Sequence, residues 1–380
     1  MEFTCEKKYL QSGVSSVEKI VTTRSTLPII GYLLLEAKKN GVKLSANNLE
    51  IGIELALNSK VEKEGAILVP AKTIAGIVAK LPDTKVSFKL NEKGLINIAF
   101  GRSNFNVHTL PADEFPVLPK IKADKSFSLS AKLFAAMIKQ TIFSVSSSDD
   151  KHVLTGVLLE FGKSGRAGDS ANFRMIATDG YRLAKRGEVI ELADEIKGSI
   201  IVPAKALQEI ARIIELDKEE AEIVITFSAD QIAFSFKDVY LVSRIIQGQF
   251  PDYRQVLPKK GVTKVLVSRK ALLDSAERAT VIASGSANVV RFDLKENKLH
   301  LFASTPDIGT VDEIIDAEVT GQNKVQVAFN IRLVTDVLKV LENEKVIIEL
   351  SESLGPGLIR GDTEGQYLYI VMPIRTQEAA

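Results

Sequence analysis

The chain has 380 residues, more than the roughly 250–300 that a single hydrophobic core accommodates, so two or three domains are expected. Hydrophobic residues make up 45% and charged residues 26%, which excludes wholesale disorder. With 49 basic and 48 acidic side chains the net charge is +1, so the total alone does not mark a polyanion binder.

No apolar run approaches the ~20 residues of a membrane span. The first residues include an acid and a cysteine where a secretory leader would carry a basic stretch and an apolar core. The single cysteine, Cys5, makes neither an internal disulfide nor a cysteine metal cluster. A reduced, cytoplasmic protein without membrane contact is expected.

In chain order, Phe3-Thr4-Cys5 reads as a strand leading into a helix over 7–21, and residues 67–69 as a strand leading into a helix over 73–80. Short alternating runs at 85–90 and 96–100 read as strands, followed by a linker Phe115-Pro116-Val117-Leu118-Pro119. The same order returns: strand 127–129 and helix 131–143, strand 200–202 and helix 206–215, strands 222–227 and 231–236. A second linker, Phe250-Pro251-Asp252-Tyr253 ending in Leu257-Pro258, matches the first. The third passage has strand 265–267 and helix 270–281, strand 325–329 and helix 331–341, then strands 345–350 and 358–361. Pro70 and Pro203 stand just before two of the helices, where a missing N–H costs nothing. The pattern is three copies of one domain, 1–124, 125–260 and 261–380, each of two strand–helix–strands halves. Strands hung on helices in this way give an α+β class rather than a doubly wound parallel sheet.

Each helix carries basic residues that return to one side: Lys8 and Lys19, Lys72 and Lys80, Lys132 and Lys139, Lys205 and Arg212, Lys270 and Arg278, Arg332 and Lys339. The helical segments hold 14 basic and 7 acidic side chains, so they carry +7 and the remainder −6. A lysine on one solvated helix face is ordinary. Six helices repeating it suit a surface that meets duplex phosphate without reading sequence. No zinc finger, basic zipper or aromatic RNA-binding signature accompanies it.

A catalytic reading has little support. Gly162-Lys163-Ser164 resembles the end of a phosphate-binding loop, but Val157 stands where that loop needs glycine. His108, His152 and His300 lack metal-ligand spacing, and Asp149-Asp150 reads as a solvated loop pair. No catalytic residue, metal or cofactor is expected.

The residues resemble the bacterial sliding clamp family, the β subunit of the DNA polymerase III holoenzyme. The matching stretches are Thr26-Leu27-Pro28-Ile29 with Leu33-Leu34-Leu35-Glu36, and Leu110-Pro111-Ala112-Asp113-Glu114-Phe115-Pro116. In the middle third they are Ala177-Thr178-Asp179-Gly180-Tyr181-Arg182-Leu183-Ala184 and Phe250-Pro251-Asp252-Tyr253-Arg254, and near the end Tyr369-Ile370-Val371-Met372-Pro373-Ile374-Arg375. The resemblance spans essentially the whole chain. It implies a homodimeric ring with sheets outside and helices lining a hole for double-stranded DNA. It also implies that the replicative polymerase, the clamp loader, other polymerases and repair proteins are tethered through short peptides.

Carried residue by residue, the resemblance implies a peptide cleft of Leu154, Thr178, Gly180, Tyr181, Arg182, Leu183, Pro251, Val256, Asn330, Leu333, Leu354, Met372, Pro373, Ile374 and Arg375. Arg182 and Arg375 are expected to hold polar or acidic peptide groups. Tyr181, Leu333 and Gln255 depart from residues common in the family, and the near-zero net charge departs from its usual acidity. The dimer contact is expected to join Arg102 and Phe105 to Val281, Ile282, Asp312 and Glu313 of a second copy. DNA is expected to meet the paired helix residues from Lys72 to Lys339 named above, together with Arg24, Lys151 and His152. The rival reading is a static, nonspecific DNA-coating protein.

Overall fold

The computed structural model describes residues 1–21, 27–121, 125–163, 170–217, 219–257, 263–322, 324–351, 355–363 and 365–375. Arg24, Leu354 and the segment 376–380 lie outside the described residues. The six expected helices are present: α1 (Lys7–Glu18), α2 (Ala71–Lys80), α3 (Ala131–Thr141), α4 (Ala204–Leu216), α5 (Arg269–Ala283) and α6 (Ile331–Val340).

Each helix follows directly from a strand, and the junction is set by local chemistry. Pro70, extended at φ −60° and ψ 116°, turns the strand Gly65–Pro70 into α2. At α5 the Ser268 hydroxyl accepts from the Ala271 N–H, and at α6 the Asn330 side chain accepts from the Arg332 N–H. Helical spacing then buries one face, for example Ala71, Ile74 and Val78 of α2, or Ile331, Val334, Val337 and Leu338 of α6. Burial of each large apolar side chain contributes about 1.5–3 kcal/mol.

The chain forms two compact units, Met1–Ala135 with Lys205–Ile245, and Ala136–Ala204 with Ile246–Ala380. The boundary passes through the middle repeat and sends its two halves to different units. In the first unit, the strand Ile51–Leu57 pairs antiparallel with Val239–Arg244, with Ile53 opposite Leu241. This contact joins strands of the first and middle repeats into one nine-stranded sheet, beside a separate five-stranded one. In the second unit, Arg182–Glu188 pairs with Tyr367–Val371, with Ala184 opposite Tyr369, inside a twelve-stranded sheet. Both units thus use one device: sheet edges of neighbouring repeats, each with unpaired N–H and C=O groups, satisfy one another. No helix among the described residues is long and apolar enough to cross a membrane.

Candidate functional site

The expected Thr178-Asp179-Gly180-Tyr181-Arg182 turn lies between the strands Phe173–Thr178 and Arg182–Glu188. Asp179 Oδ1 accepts from the N–H groups of Tyr181 (2.8 Å) and Arg182 (3.0 Å), closing an Asx turn. Thr178 Oγ1 accepts from Gly180 N–H at 3.1 Å and donates to the Arg182 carbonyl at 2.6 Å. Gly180 has φ +94°, a conformation that a side chain would strain.

Arg182 Nε donates to Asp179 Oδ2 at 3.0 Å, and its Nη1 to Asp336 Oδ2 of α6 at 2.5 Å. Burial disfavours its charge, but Tyr369 and the carboxylates of Asp336 and Asp179 outweigh that cost and raise its pKa above the ordinary value. The guanidinium also lies over the Phe143 ring, 5.4 Å from its centroid. The expectation that Arg182 binds acidic peptide groups therefore changes: two carboxylates of the chain already engage it.

The linker supplies the facing wall. Tyr253, 5% exposed, donates its hydroxyl to Glu160 Oε2 at 2.9 Å, and Arg254 donates to the other oxygen of the same carboxylate. Burial first, and then Glu160, push the Tyr253 phenol pKa upward. Asp252 Oδ1 caps the next turn by accepting from Arg254 N–H. Near the C-terminal end, Met372 N–H donates to the Tyr181 carbonyl at 2.9 Å and Ile374 N–H to the Ala328 carbonyl at 2.7 Å.

These elements enclose a groove of about 160 Å³ lined by Leu154, Thr178, Gly180, Arg182, Leu183, Pro251, Asp252, Tyr253, Val256, Ile370 and Met372. The first five of these, with Pro251, Val256 and Met372, are expected cleft residues. Asp252, Tyr253 and Ile370 were missed, although all three belong to the stretches that carry the resemblance. Tyr181 (66% exposed), Asn330, Leu333, Pro373, Ile374 and Arg375 do not line the groove. Asn330 caps α6 instead, and Leu333 packs on the core while its carbonyl accepts from the Tyr369 hydroxyl at 2.8 Å.

The helix cations divide into two groups. Lys72, Lys80, Lys139, Lys205 and Arg332 are exposed and pair with no described carboxylate. Lys132 pairs with Glu220, Arg212 with Glu209, Lys270 with Asp274 and Lys339 with Glu277. Arg278 is held by both oxygens of Glu313, at 2.7 and 2.6 Å, so two residues expected in separate roles engage each other. Lys151 Nζ donates to the Asp179 carbonyl at 2.9 Å and lies 5.2 Å from the Tyr181 ring centroid, beside the groove's turn. His152 is exposed in the same short segment, Asp149–Leu154.

Of the expected dimer residues, Phe105 lies on the strand Ser103–His108 at one edge of the five-stranded sheet. It is 43% exposed and stacks on Phe100, and Arg102 is exposed just before it. In the second unit, Val281 (71% exposed) and Ile282 lie on α5, and Asp312 and Glu313 on the strand Gly309–Thr320. The Arg278–Glu313 pair fastens that strand to α5.

Gly162 adopts φ +100° after the strand Gly156–Phe161, as expected of a turn, and Ser164 lies outside the described residues. Among the described residues no three His, Cys, Asp or Glu side chains are grouped to hold a metal.

A repeat-built α+β scaffold with an apolar groove and exposed basic helix faces is of the clamp class. The family description "DNA polymerase III beta subunit" matches in three parts: the N-terminal domain at 1–119, the central domain at 128–252 and the C-terminal domain at 254–375. The beta sliding clamps of Bacillus subtilis and Staphylococcus aureus are each 30% identical over 99% of this chain and 100% of their own length. The crystal structure of the Thermotoga maritima beta subunit superposes with a TM-score of 0.91 at 30% identity, covering 99% of both chains. That of a Pseudomonas aeruginosa sliding clamp bound to griselimycin gives 0.90 at 28%, covering 99% of this chain and 100% of its own. The chain belongs to the DNA polymerase III beta subunit family, the sliding clamps.

Proposed function

We propose that two copies of this chain, each of three domains spanning 1–124, 125–260 and 261–380, close head to tail into a ring around duplex DNA. The ring tethers the replicative polymerase, its loader and other replication and repair proteins, and it works in the cytoplasm on the nucleoid. Processivity is then topological. A closed ring cannot leave sideways, so weak phosphate contacts from Lys72, Lys80, Lys139, Lys205 and Arg332 suffice and leave it free to slide. The surface pairs on Lys132, Lys270 and Lys339 are each worth about 0–1 kcal/mol and exchange readily for phosphate. Arg278, held at two of its three nitrogens by Glu313, contributes least.

The observation that carries the partner reading is the groove at the Thr178–Arg182 turn. Leu154, Leu183, Val256, Ile370 and Met372 offer apolar walls to a peptide side chain. The nearby ionic groups are Arg182, Lys151 and Arg254 with Asp179, Asp336 and Asp252, so the apolar walls and not a net charge select the peptide. Griselimycin, bound by the Pseudomonas aeruginosa relative, is a ready probe of this chain as well.

Ring closure is tested by loading the protein onto nicked circular DNA and then cutting the circle once. Release on cutting supports enclosure; retention on the linear product refutes it and favours a static coating protein. Met372→Glu, at a partly exposed lining position, tests the groove, with loss of peptide binding by fluorescence anisotropy expected while self-association in sedimentation velocity is unchanged.

A further inference from the structure

Helix α6 carries three ionic side chains on one face, Arg332, Asp336 and Lys339. Arg332 and Asp336 stand four positions apart, with Cβ atoms about 5–6 Å from each other, a spacing at which opposite charges attract. Yet they do not pair: Arg332 is exposed and engages no described carboxylate. Lys339, three positions beyond Asp336, goes to Glu277 of α5 at 3.0 Å.

Asp336 turns instead to the groove. Its Oδ2 accepts from Arg182 Nη1 at 2.5 Å, in a pair whose side chains are 40% and 11% exposed. Arg182 holds Asp179 as well, through Nε at 3.0 Å, and its guanidinium rests on the Phe143 ring. The Tyr369 hydroxyl, donating to the Leu333 carbonyl at 2.8 Å, fastens α6 to the strand beside the groove and keeps the two residues together. One guanidinium thus answers two carboxylates, and one of these lies a single turn from a cation proposed to meet DNA.

We propose that Arg182 is a positioning residue for DNA contact: by neutralising Asp336 it leaves Arg332 free to meet a phosphate. The inference rests on the reading of Arg332 as a DNA contact. Without the guanidinium charge, Asp336 stands uncompensated beside the bound phosphate. A surface pair of Asp336 with Arg332 would give way to phosphate, but the carboxylate would remain and repel it. Two like charges about 6 Å apart weaken binding about threefold at the dielectric constant of water, and more at a lower one. Salt screens the effect as the Debye length shortens. The peptide groove and the DNA face therefore share one charge.

The test is the affinity of the full chain for a short linear duplex, read by fluorescence anisotropy at low and high salt. Arg332→Ala should weaken binding and sets the scale. Arg182→Gln, which removes the charge and keeps an amide donor, should weaken it about threefold at low salt and little at high salt. Arg182→Gln/Asp336→Asn should recover the parent affinity although the guanidinium is still missing, a recovery that a merely structural role would not allow. Arg182→Gln/Asp179→Asn has the same net charge, and an amide oxygen can still accept the two N–H bonds of the turn. It should stay weak, because Asp336 remains uncompensated. Parental affinity in Arg182→Gln, with Arg332→Ala weakened, overturns the inference alone. Parental affinity in Arg332→Ala overturns it together with the DNA role of Arg332. A double variant with Asp336→Asn that stays weak shows that Arg182 only holds the fold, and equal recovery with Asp179→Asn shows that only net charge counts; either result overturns the inference.

Discussion

Glu160 is the residue whose loss should be felt furthest in the second unit. Its carboxylate receives the Tyr253 hydroxyl at 2.9 Å and the Arg254 guanidinium, and lies 3.8 Å from Arg174 Nη1. Arg174 is 0% exposed and also donates to the carbonyls of Gly162, at 2.8 Å, and Ala171. Glu160→Leu keeps an apolar side chain in place but takes one carboxylate away from the buried Arg174 guanidinium, and breaking a buried pair by removing one partner costs about 3–5 kcal/mol. The Tyr253 phenol loses its acceptor at the same time, but the two losses share one carboxylate and will not add in full. The chain has two units, so a single unfolding midpoint is not a defined free energy. The assay is therefore hydrogen exchange in dilute urea at the amides of the strand Phe173–Thr178, which carries Arg174. Peptide affinity should fall in parallel, since Tyr253 both lines the groove and depends on Glu160. A Glu160→Leu opening energy within about 1 kcal/mol of the parent, below the usual cost of breaking a buried ion pair, would refute this account.

Three further outcomes are expected. Cys5, 2% exposed, has its thiol pKa pushed up to about 11 by burial and by Glu6, from 9.0. The neutral thiol is the form the fold favours, so this stabilisation is complete below pH 9 and is lost as the pH rises toward 11. Iodoacetamide labelling at pH 8 should accordingly be slow until urea is added, and fast labelling of the folded chain would contradict the burial. Phe105→Asp should leave the unfolding midpoint nearly unchanged but weaken self-association by about 1.5–3 kcal/mol, the worth of one buried apolar side chain, read by sedimentation velocity; an unshifted monomer–dimer balance would remove Phe105 from the interface. Lys72→Glu/Lys80→Glu should lower the salt slope of binding to short linear duplexes by about 0.9 for each phosphate no longer neutralised, and an unchanged slope would show that α2 does not meet DNA.

The sequence disclosed the repeat because its signals are local. Strand–helix junctions at Pro70 and Asn330 and the helical spacing of apolar residues need only neighbours a few positions away, so the six helices fall where expected to within a few residues. The edge pairing of Ile51–Leu57 with Val239–Arg244 depends on residues far apart, and no local pattern encodes it. The compact units therefore cut across the middle repeat, although the repeat is plain in the sequence. The groove shows the same division. Its turn was legible in Thr178-Asp179-Gly180, but the pairing of Arg182 with Asp336 joins positions 154 residues apart. Likewise, the basic residues on the helices were visible, whereas Glu313 holding Arg278 from 35 positions away was not.

The first unit contains a second copy of the groove's backbone with different side chains. Asn48 Oδ1 accepts from Glu50 N–H at 3.1 Å and Ile51 N–H at 2.8 Å, as Asp179 does for Tyr181 and Arg182. Leu49 has φ +74° where Gly180 has +94°, and Arg244 N–H donates to the Glu50 carbonyl at 3.0 Å as Met372 does to Tyr181. A cavity of about 250 Å³ accompanies this turn, bordered by Pro116 as the other is by Pro251. The side chains have diverged. Gly52 takes the place of Leu183, and a Cβ there would lie 1.8 Å from Leu118 Cδ2, so the linker's own leucine fills the floor. Ile51, 1% exposed, replaces the charged Arg182, and the cation Arg244 replaces the apolar Met372. Leu49 also bears a left-handed conformation that costs a non-glycine residue about 1–2 kcal/mol. The same backbone therefore carries an apolar groove in one unit and a larger, more polar one in the other, so the proposed partner site is set by side chains and not by the repeat.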